Sequence, residues 1–237
     1  MNLIKVKDYE ELSRAVADLI YMEVNNNPEC VLGLATGSTP IGAYKCIIED
    51  YNAGEIDFSD VTTVNLDEYV GLSPENPQSY RYFMDENFFN HINIDKSRTH
   101  LPDGMAQDPD AEAERYEELI EELDGIDLLL LGMGHNGHIG FNEPDEEFVA
   151  NTRRVYLAEQ TLKANSRFFD STEQVPESAI TMGIKTIMSA REIILAVSGN
   201  DKANMLKKAL FGPITPRVPA SVLQLHNGLT VITDCLE

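Results

Sequence analysis

Five apolar runs without strict alternation punctuate the chain: VLGLA at 31 to 35, VTTVNL at 61 to 66, IDLLLLG at 126 to 132, EIILAV at 192 to 197 and LTVIT at 229 to 233. Short runs that are apolar on both faces predict strands buried in a parallel sheet. Between them lie segments with helical spacing, 8 to 25, 40 to 52, 78 to 90, 109 to 123 and 201 to 210, several opened by Asp, Ser or Pro. The Pro-rich stretch FGPITPRVPA predicts an ordered connection into a last short helix, PASVLQL. This alternation predicts a single-domain α/β fold over 1–237, a doubly wound, mostly parallel sheet with helices on both faces.

Composition agrees with that pattern and narrows the partners. At 237 residues and 43% hydrophobic content the chain can bury one substantial core. A formal charge of -22 repels phosphate backbones and anionic lipids, so neither nucleic acid nor membrane is expected as a partner. A chain this acidic must gather its few cations and backbone donors locally to hold an anion, which makes individual Lys and Arg positions informative. The first residues, MNLIKVKDYEELSRAV, are too charged for a signal peptide, and no apolar run nears the roughly 20 residues that span a bilayer. Cys30, Cys46 and Cys235 form no CxxC pair, which favours reduced thiols and a cytoplasmic location.

Ligands of open α/β sheets bind outside the carboxyl ends of the strands. The residues following four of the predicted strands are TGSTP, DEYVGL, GMGHNGHIGFNEP and SGNDKAN, rich in glycine, small hydroxyls and titratable groups. In the first, Thr36, Gly37, Ser38 and Thr39 lead through Pro40 into a helix, an arrangement that presents backbone N–H groups to a phosphate. An ordinary helix cap is the competing reading. Asp67 and Glu68, at the end of VTTVNL, should point to opposite sides, with Asp67 and Tyr69 sharing one. A carboxylate there serves either as general base or as a structural cap.

The loop Gly132 to His138 contains a literal GxGxxG, but IGFNEPDEEF interrupts the helix that a dinucleotide fingerprint needs and NTRRVYLA supplies Arg where an acid belongs. A dinucleotide is therefore not expected. His135 and His138, three apart in a glycine-rich loop, lack the helical geometry of a zinc motif, so no metal is expected either. His138 remains as an acid-base group whose tautomer Asn136 or Glu143 would fix. Lys202 lies in the first turn of a helix, a poor place for a cation unless an anion binds there. Arg167, in NSRFFD, taken alone reads better as a surface guanidinium covering aromatic rings than as a ligand-binding group.

Taken together, GLATGSTP, NLDEYVGL, GMGHNGHIGFNEP, ANSRFFD, SGNDKA and LQLH resemble the glucosamine-6-phosphate deaminase family, in one order over nearly the whole chain. The resemblance implies a Rossmann-type, doubly wound fold, no cofactor, and a small-molecule substrate, glucosamine 6-phosphate, converted to fructose 6-phosphate and ammonia. It implies that Asp67 is the enolisation base, that His138 carries the proton in opening the sugar ring, and that Asn136 and Glu143 flank it. It places Thr36 to Thr39, Arg167 and Lys202 at the phosphate. Two departures stand out: Asn136 occupies a position where many members carry Asp, and Arg153 with Val155 replaces the Arg-x-Lys pair of the allosteric members, in a chain that ends at Glu237 soon after the last strand. A non-allosteric enzyme is expected from these departures, with a monomer favoured over a homo-oligomer.

Two rivals share the fold. A 6-phosphogluconolactonase would carry a similar glycine-rich loop, but GFNEP and DEY match the deaminases. A non-catalytic sugar-phosphate sensor domain would have no use for a base at Asp67 and usually accompanies a basic helix-turn-helix, of which there is no trace.

Overall fold

The computed structural model describes residues 1–157 and 176–236. Strands β1 (Asn2–Lys5), β2 (Val31–Leu34), β3 (Thr62–Asn65), β5 (Thr99–His100), β6 (Leu128–Gly132), β9 (Glu192–Val197) and β10 (Leu229–Thr233) build one sheet. Its order is β1-β10-β9-β6-β2-β3-β5, and every neighbouring pair is parallel. All five predicted strands lie in it; the short β1 and β5, too brief to stand out as apolar runs, add its two edges. From β2 the chain winds outward through β3 and β5, then crosses to β6 on the other side of β2. The switch point therefore falls between β2 and β6, where ligands of such sheets gather.

The helices follow from their caps and apolar faces. Helix α1 (Tyr9–Asn26) starts at Asp8, whose side chain accepts Glu11 N–H, and buries Leu12, Val16, Ala17, Ile20 and Val24 along one stripe. Helix α2 is Ile41–Asn52, directly after Pro40, and α4 (Pro109–Glu122) opens with Asp108 accepting from Asp110 and Ala111. Helix α3 is shorter than predicted, Tyr80–Asn87, and breaks into a 3-10 turn at Phe89–His91. A short α5 (Ile184–Met188) precedes β9, and α6 (Ala203–Phe211) follows it. Lys202 thus sits in the 3-10 turn Asn200–Lys202 rather than inside the helix. PASVLQL forms a 3-10 helix, Pro219–Leu225. In β6, Leu128 to Leu131 are at most 3% exposed; each such side chain contributes roughly 1.5–3 kcal/mol by burial.

One expectation about the second motif strand is corrected. The run ending at Leu66 does not carry Asp67 at the tip of the same strand. The chain changes sheets at Leu66, whose N–H reaches Leu34 O (3.4 Å) while its carbonyl accepts Met182 N–H (2.8 Å). Asp67–Tyr69 then forms β4 of a separate antiparallel sheet, ordered β4-β8-β7, with β8 at Ser178–Thr181 and β7 at Arg153–Tyr156. A handover lasting one residue leaves no gap in the apolar pattern, so the sequence reads as one strand.

Candidate active site

Four consecutive strands of the sheet, β9, β6, β2 and β3, deliver the predicted loops to one edge. After β2, Thr36 to Thr39 turn into α2, and among the described residues the backbone N–H groups of Gly37, Ser38 and Thr39 have no acceptor. Tyr9, arriving from α1, braces this turn: its hydroxyl lies 2.9 and 3.1 Å from the Ser38 and Thr39 carbonyls and accepts Gly42 N–H at 2.8 Å. Ser38 and Thr39 share a cavity of about 370 Å³ with Tyr9, His135, Asp201 and Lys202. The Lys202 ammonium donates to Met133 O at 2.8 Å, and burial lowers its pKa. A half-buried cation facing unpaired N–H donors at the start of a helix is suited to an anion.

The adjacent acids on β4 have opposite environments. Glu68 accepts three backbone N–H bonds, from Tyr69 (2.8 Å), Tyr80 (2.9 Å) and Arg81 (2.8 Å), the last two at the start of α3. The structural capping role weighed for Asp67 therefore belongs to Glu68. Asp67 is 7% exposed and accepts no hydrogen bond among the described residues. Burial, with the Glu68 charge adding to it, pushes the Asp67 carboxyl up to about 8. Burial also raises Glu68, to about 7, against the three N–H bonds that lower it. Asp67 is consequently the acid of the pair that holds its proton longest.

The glycine-rich loop after β6 closes over both regions. Asn136 Oδ1 lies 2.7 Å from His138 Nδ1 and accepts His138 N–H at 3.2 Å, while Asn136 Nδ2 donates to Glu143 Oε2 at 2.6 Å. Since the Asn136 oxygen is an acceptor, Nδ1 carries the hydrogen and Nε2 is left with the lone pair. Glu143 Oε2 stands 3.5 Å from Nδ1 and brings the negative charge that Asn136 lacks. The imidazole lies flat on Gly134, where any Cβ would come within 2.1 Å of it. Two residues past His138, Gly140 takes a φ of +56°, and a Cβ there would meet Thr181 Oγ1 at 2.9 Å and Asp67 Oδ2 at 3.4 Å. Only glycine lets the loop pass this closely above the acid. Asp67 lines neither the cavity at Lys202 nor the second one, of about 240 Å³, along Asn142, Glu143 and Arg153; it lies beneath Gly140. The two loop histidines engage different partners, since His135 Nε2 meets Asp201 Oδ2 at 2.7 Å. Arg167 lies outside the described residues.

Comparison with known proteins places this arrangement in a family. The model of glucosamine-6-phosphate isomerases/6-phosphogluconolactonase matches residues 7–232. The glucosamine-6-phosphate deaminase of Lachnoclostridium phytofermentans is 58% identical over 237 residues, covering 100% of both chains. That of Clostridium perfringens (strain 13 / Type A) is 52% identical over 234 residues, covering 99% of this chain and 97% of the other. The chain belongs to the glucosamine-6-phosphate deaminase family. A solved structure described as a monomeric glucosamine-6-phosphate deaminase is 46% identical and superposes with a TM-score of 0.95, covering 98% of this chain and 97% of that one. The 6-phosphogluconolactonase from Trypanosoma cruzi, 17% identical with a TM-score of 0.78 over 98% of this chain and 93% of that one, shares the fold.

Several residues that shape this deaminase-family site were not singled out from the sequence. Tyr9 braces the anion cradle from 29 positions away, Asp234 accepts from Ser198 Oγ (2.6 Å) and Gly199 N–H (2.9 Å) to fix the loop after β9, and Thr181 Oγ1 accepts Phe141 N–H (3.1 Å) opposite Asp67. Each acts across a long sequence separation, and no local pattern announces it. Asn142, in the GFNEP segment, is a further such residue: its amide donates to Ile139 O and Met182 O and accepts from Arg153, tying the glycine-rich loop to the small sheet.

Proposed function

We propose that the whole chain, acting as one domain, is a glucosamine-6-phosphate deaminase that isomerises glucosamine 6-phosphate and releases ammonia to give fructose 6-phosphate. The observation that carries this reading is the buried carboxylate of Asp67, without a hydrogen-bond partner among the described residues, directly under the loop that presents an oriented imidazole. His138 Nε2, with Nδ1 held by Asn136 and Glu143, moves the proton that opens the pyranose ring. The open-chain carbonyl acidifies the C2 proton. Asp67, in its ionised form a stronger base than a solvated carboxylate because burial has raised its pKa, takes that proton and returns it to C1 on one face of the enolamine, while the C1 oxygen gains a proton and the C2 nitrogen gives one up. The nitrogen left on C2 is then an imine, which water hydrolyses to ammonia and the ketose.

The phosphate end contributes binding and orientation rather than bond making. Thr36, Gly37, Ser38, Thr39 and Lys202 hold the phosphate in this reading, with Arg167 as a further ligand. No dinucleotide or metal takes part in these steps. The enzyme acts as a monomer in the cytoplasm, in amino-sugar breakdown; the solved relative described as monomeric supports the first point, and no helix of the described residues is long and apolar enough to cross a membrane.

A coupled assay for ammonia with glucosamine 6-phosphate as substrate, run beside a lactonase assay with 6-phosphogluconolactone, tests the reading. Ammonia released in proportion to substrate, with no lactone hydrolysis above background, is the expected result. Lactone hydrolysis without ammonia would replace it.

A further inference from the structure

At the mouth of the cavity that holds Ser38, Thr39 and Lys202 stands a histidine–carboxylate contact the mechanism does not use. His135, from the loop after β6, and Asp201, from the turn after β9, meet there with Nε2 and Oδ2 2.7 Å apart. Both side chains are largely exposed, 72% and 65%, so the contact is a bridge over water rather than a packed strut. An acid on the rim of a cavity that binds an anion is unfavourable by itself. The charged and titratable groups around the cavity are Lys202 and Asp201 after β9, Tyr9 on α1 and His135, with Asp234 behind them on the Ser198 and Gly199 side. With a neutral imidazole, Lys202 and Asp201 cancel. With an imidazolium, the rim carries one net positive charge.

We propose that His135 is a further anion-binding residue of this cavity, held on its rim by Asp201 and strengthening phosphate binding when it is protonated. This rests on reading the Ser38, Thr39 and Lys202 cavity as the phosphate site. The Asp201 carboxylate does two things: it holds the ring on the rim, and it competes with the incoming anion for the imidazolium. Its own pKa is lowered, first of all by the hydrogen bond to His135, which agrees with a charge-assisted contact. The consequence is affinity for the phosphate end that is greater with an imidazolium at His135 and weakens at higher pH as that charge is lost.

Sulfate tests the proposal cleanly, because it mimics the phosphate group and does not itself titrate between about pH 6 and 8.5. Its competitive inhibition constant against glucosamine 6-phosphate is measured across that range in the full-length enzyme, in His135→Gln, in Asp201→Asn and in Lys202→Ala. At exposed sites one charge changes anion affinity by roughly threefold to tenfold at low ionic strength. The constant should therefore weaken by that factor from low to high pH in the natural enzyme and stay flat in His135→Gln. Asp201→Asn should tighten sulfate binding at the low end of the range, where it frees the imidazolium from its competing carboxylate, whereas losing a merely structural bridge would loosen it. A pH dependence unchanged by His135→Gln, or none in the natural enzyme, overturns the proposal while leaving the phosphate site intact, provided Lys202→Ala still abolishes sulfate competition. Sulfate competition that is indifferent to Lys202→Ala removes the phosphate-site reading itself, and the proposal with it.

Discussion

The region around Asp67 and the region around Lys202 lie on the same edge of the sheet but are built on opposite principles. At Asp67 the backbone has turned into a second sheet, Gly140 covers the carboxylate, and Tyr69, Tyr80 and Phe141 pack as an aromatic group beside it. At Lys202 the walls are hydroxyls, backbone N–H groups and ionic side chains around open space. The first region changes the basicity of one acid by removing water; the second gathers donors for an anion and keeps water near. Under the proposed function, burial is what separates the reacting group from the binding group, since both regions contain a carboxylate and a proton donor.

Several measurements sharpen or break that contrast. Asp67→Asn removes the buried base while keeping its shape, so kcat should fall about a thousandfold with KM changed by less than about threefold. Loss of KM and kcat in equal measure would make Asp67 a binding residue like those at the other end. Glu68→Ala leaves the N–H groups of Tyr69, Tyr80 and Arg81 without their acceptor and should cost about 3 kcal/mol of stability in urea unfolding. Its effect on turnover should be smaller than that of Asp67→Asn once folded protein is compared. Lys202→Ala should raise KM roughly 10- to 100-fold with a much smaller change in kcat, because it removes a charge-assisted contact far from the bonds that change.

The smallest expected effect concerns stability and pH. The folded-state pKa of Asp67, about 8, lies above its unfolded value of 3.8, so the folded chain binds the extra proton between those limits and loses stability as pH rises through them. Asp67→Asn cannot ionise and escapes this loss. Its stability relative to the natural chain should be greater at about pH 7 than at about pH 5.5 by about 2 kcal/mol, read from urea midpoints at the two pH values. A difference independent of pH would mean that Asp67 is solvated like an ordinary carboxylate.

The parallel sheet was legible because its strands are buried on both faces, as in the run Leu128 to Leu131, and because caps such as Asp8 and Asp108 mark the helices. The edge strands were not, since four residues at Asn2–Lys5 and two at Thr99–His100 are held by neighbours rather than by their own pattern. The second sheet escaped for the same reason: Asp67–Tyr69 is a strand only because Ser178–Thr181 lies beside it. Within the site, loop chemistry identified His138, Asn136 and Glu143 because all three fall in one eight-residue segment. The division of labour between Asp67 and Glu68 needed α3, whose start supplies the N–H groups that occupy one acid and leave the other bare. Tyr9 and Asp234 brace the loops from distant segments and have no local signature.

The central claim is that the carboxylate at position 67 carries the proton between C2 and C1. Incubating glucosamine 6-phosphate in deuterium oxide and following its C2 hydrogen by proton NMR tests this most directly. The natural enzyme should release ammonia and place deuterium at C1 of the ketose in part of the product, whereas Asp67→Asn should bind the substrate yet leave the C2 hydrogen unexchanged. Exchange at C2 by Asp67→Asn at the rate of the natural enzyme would contradict the account.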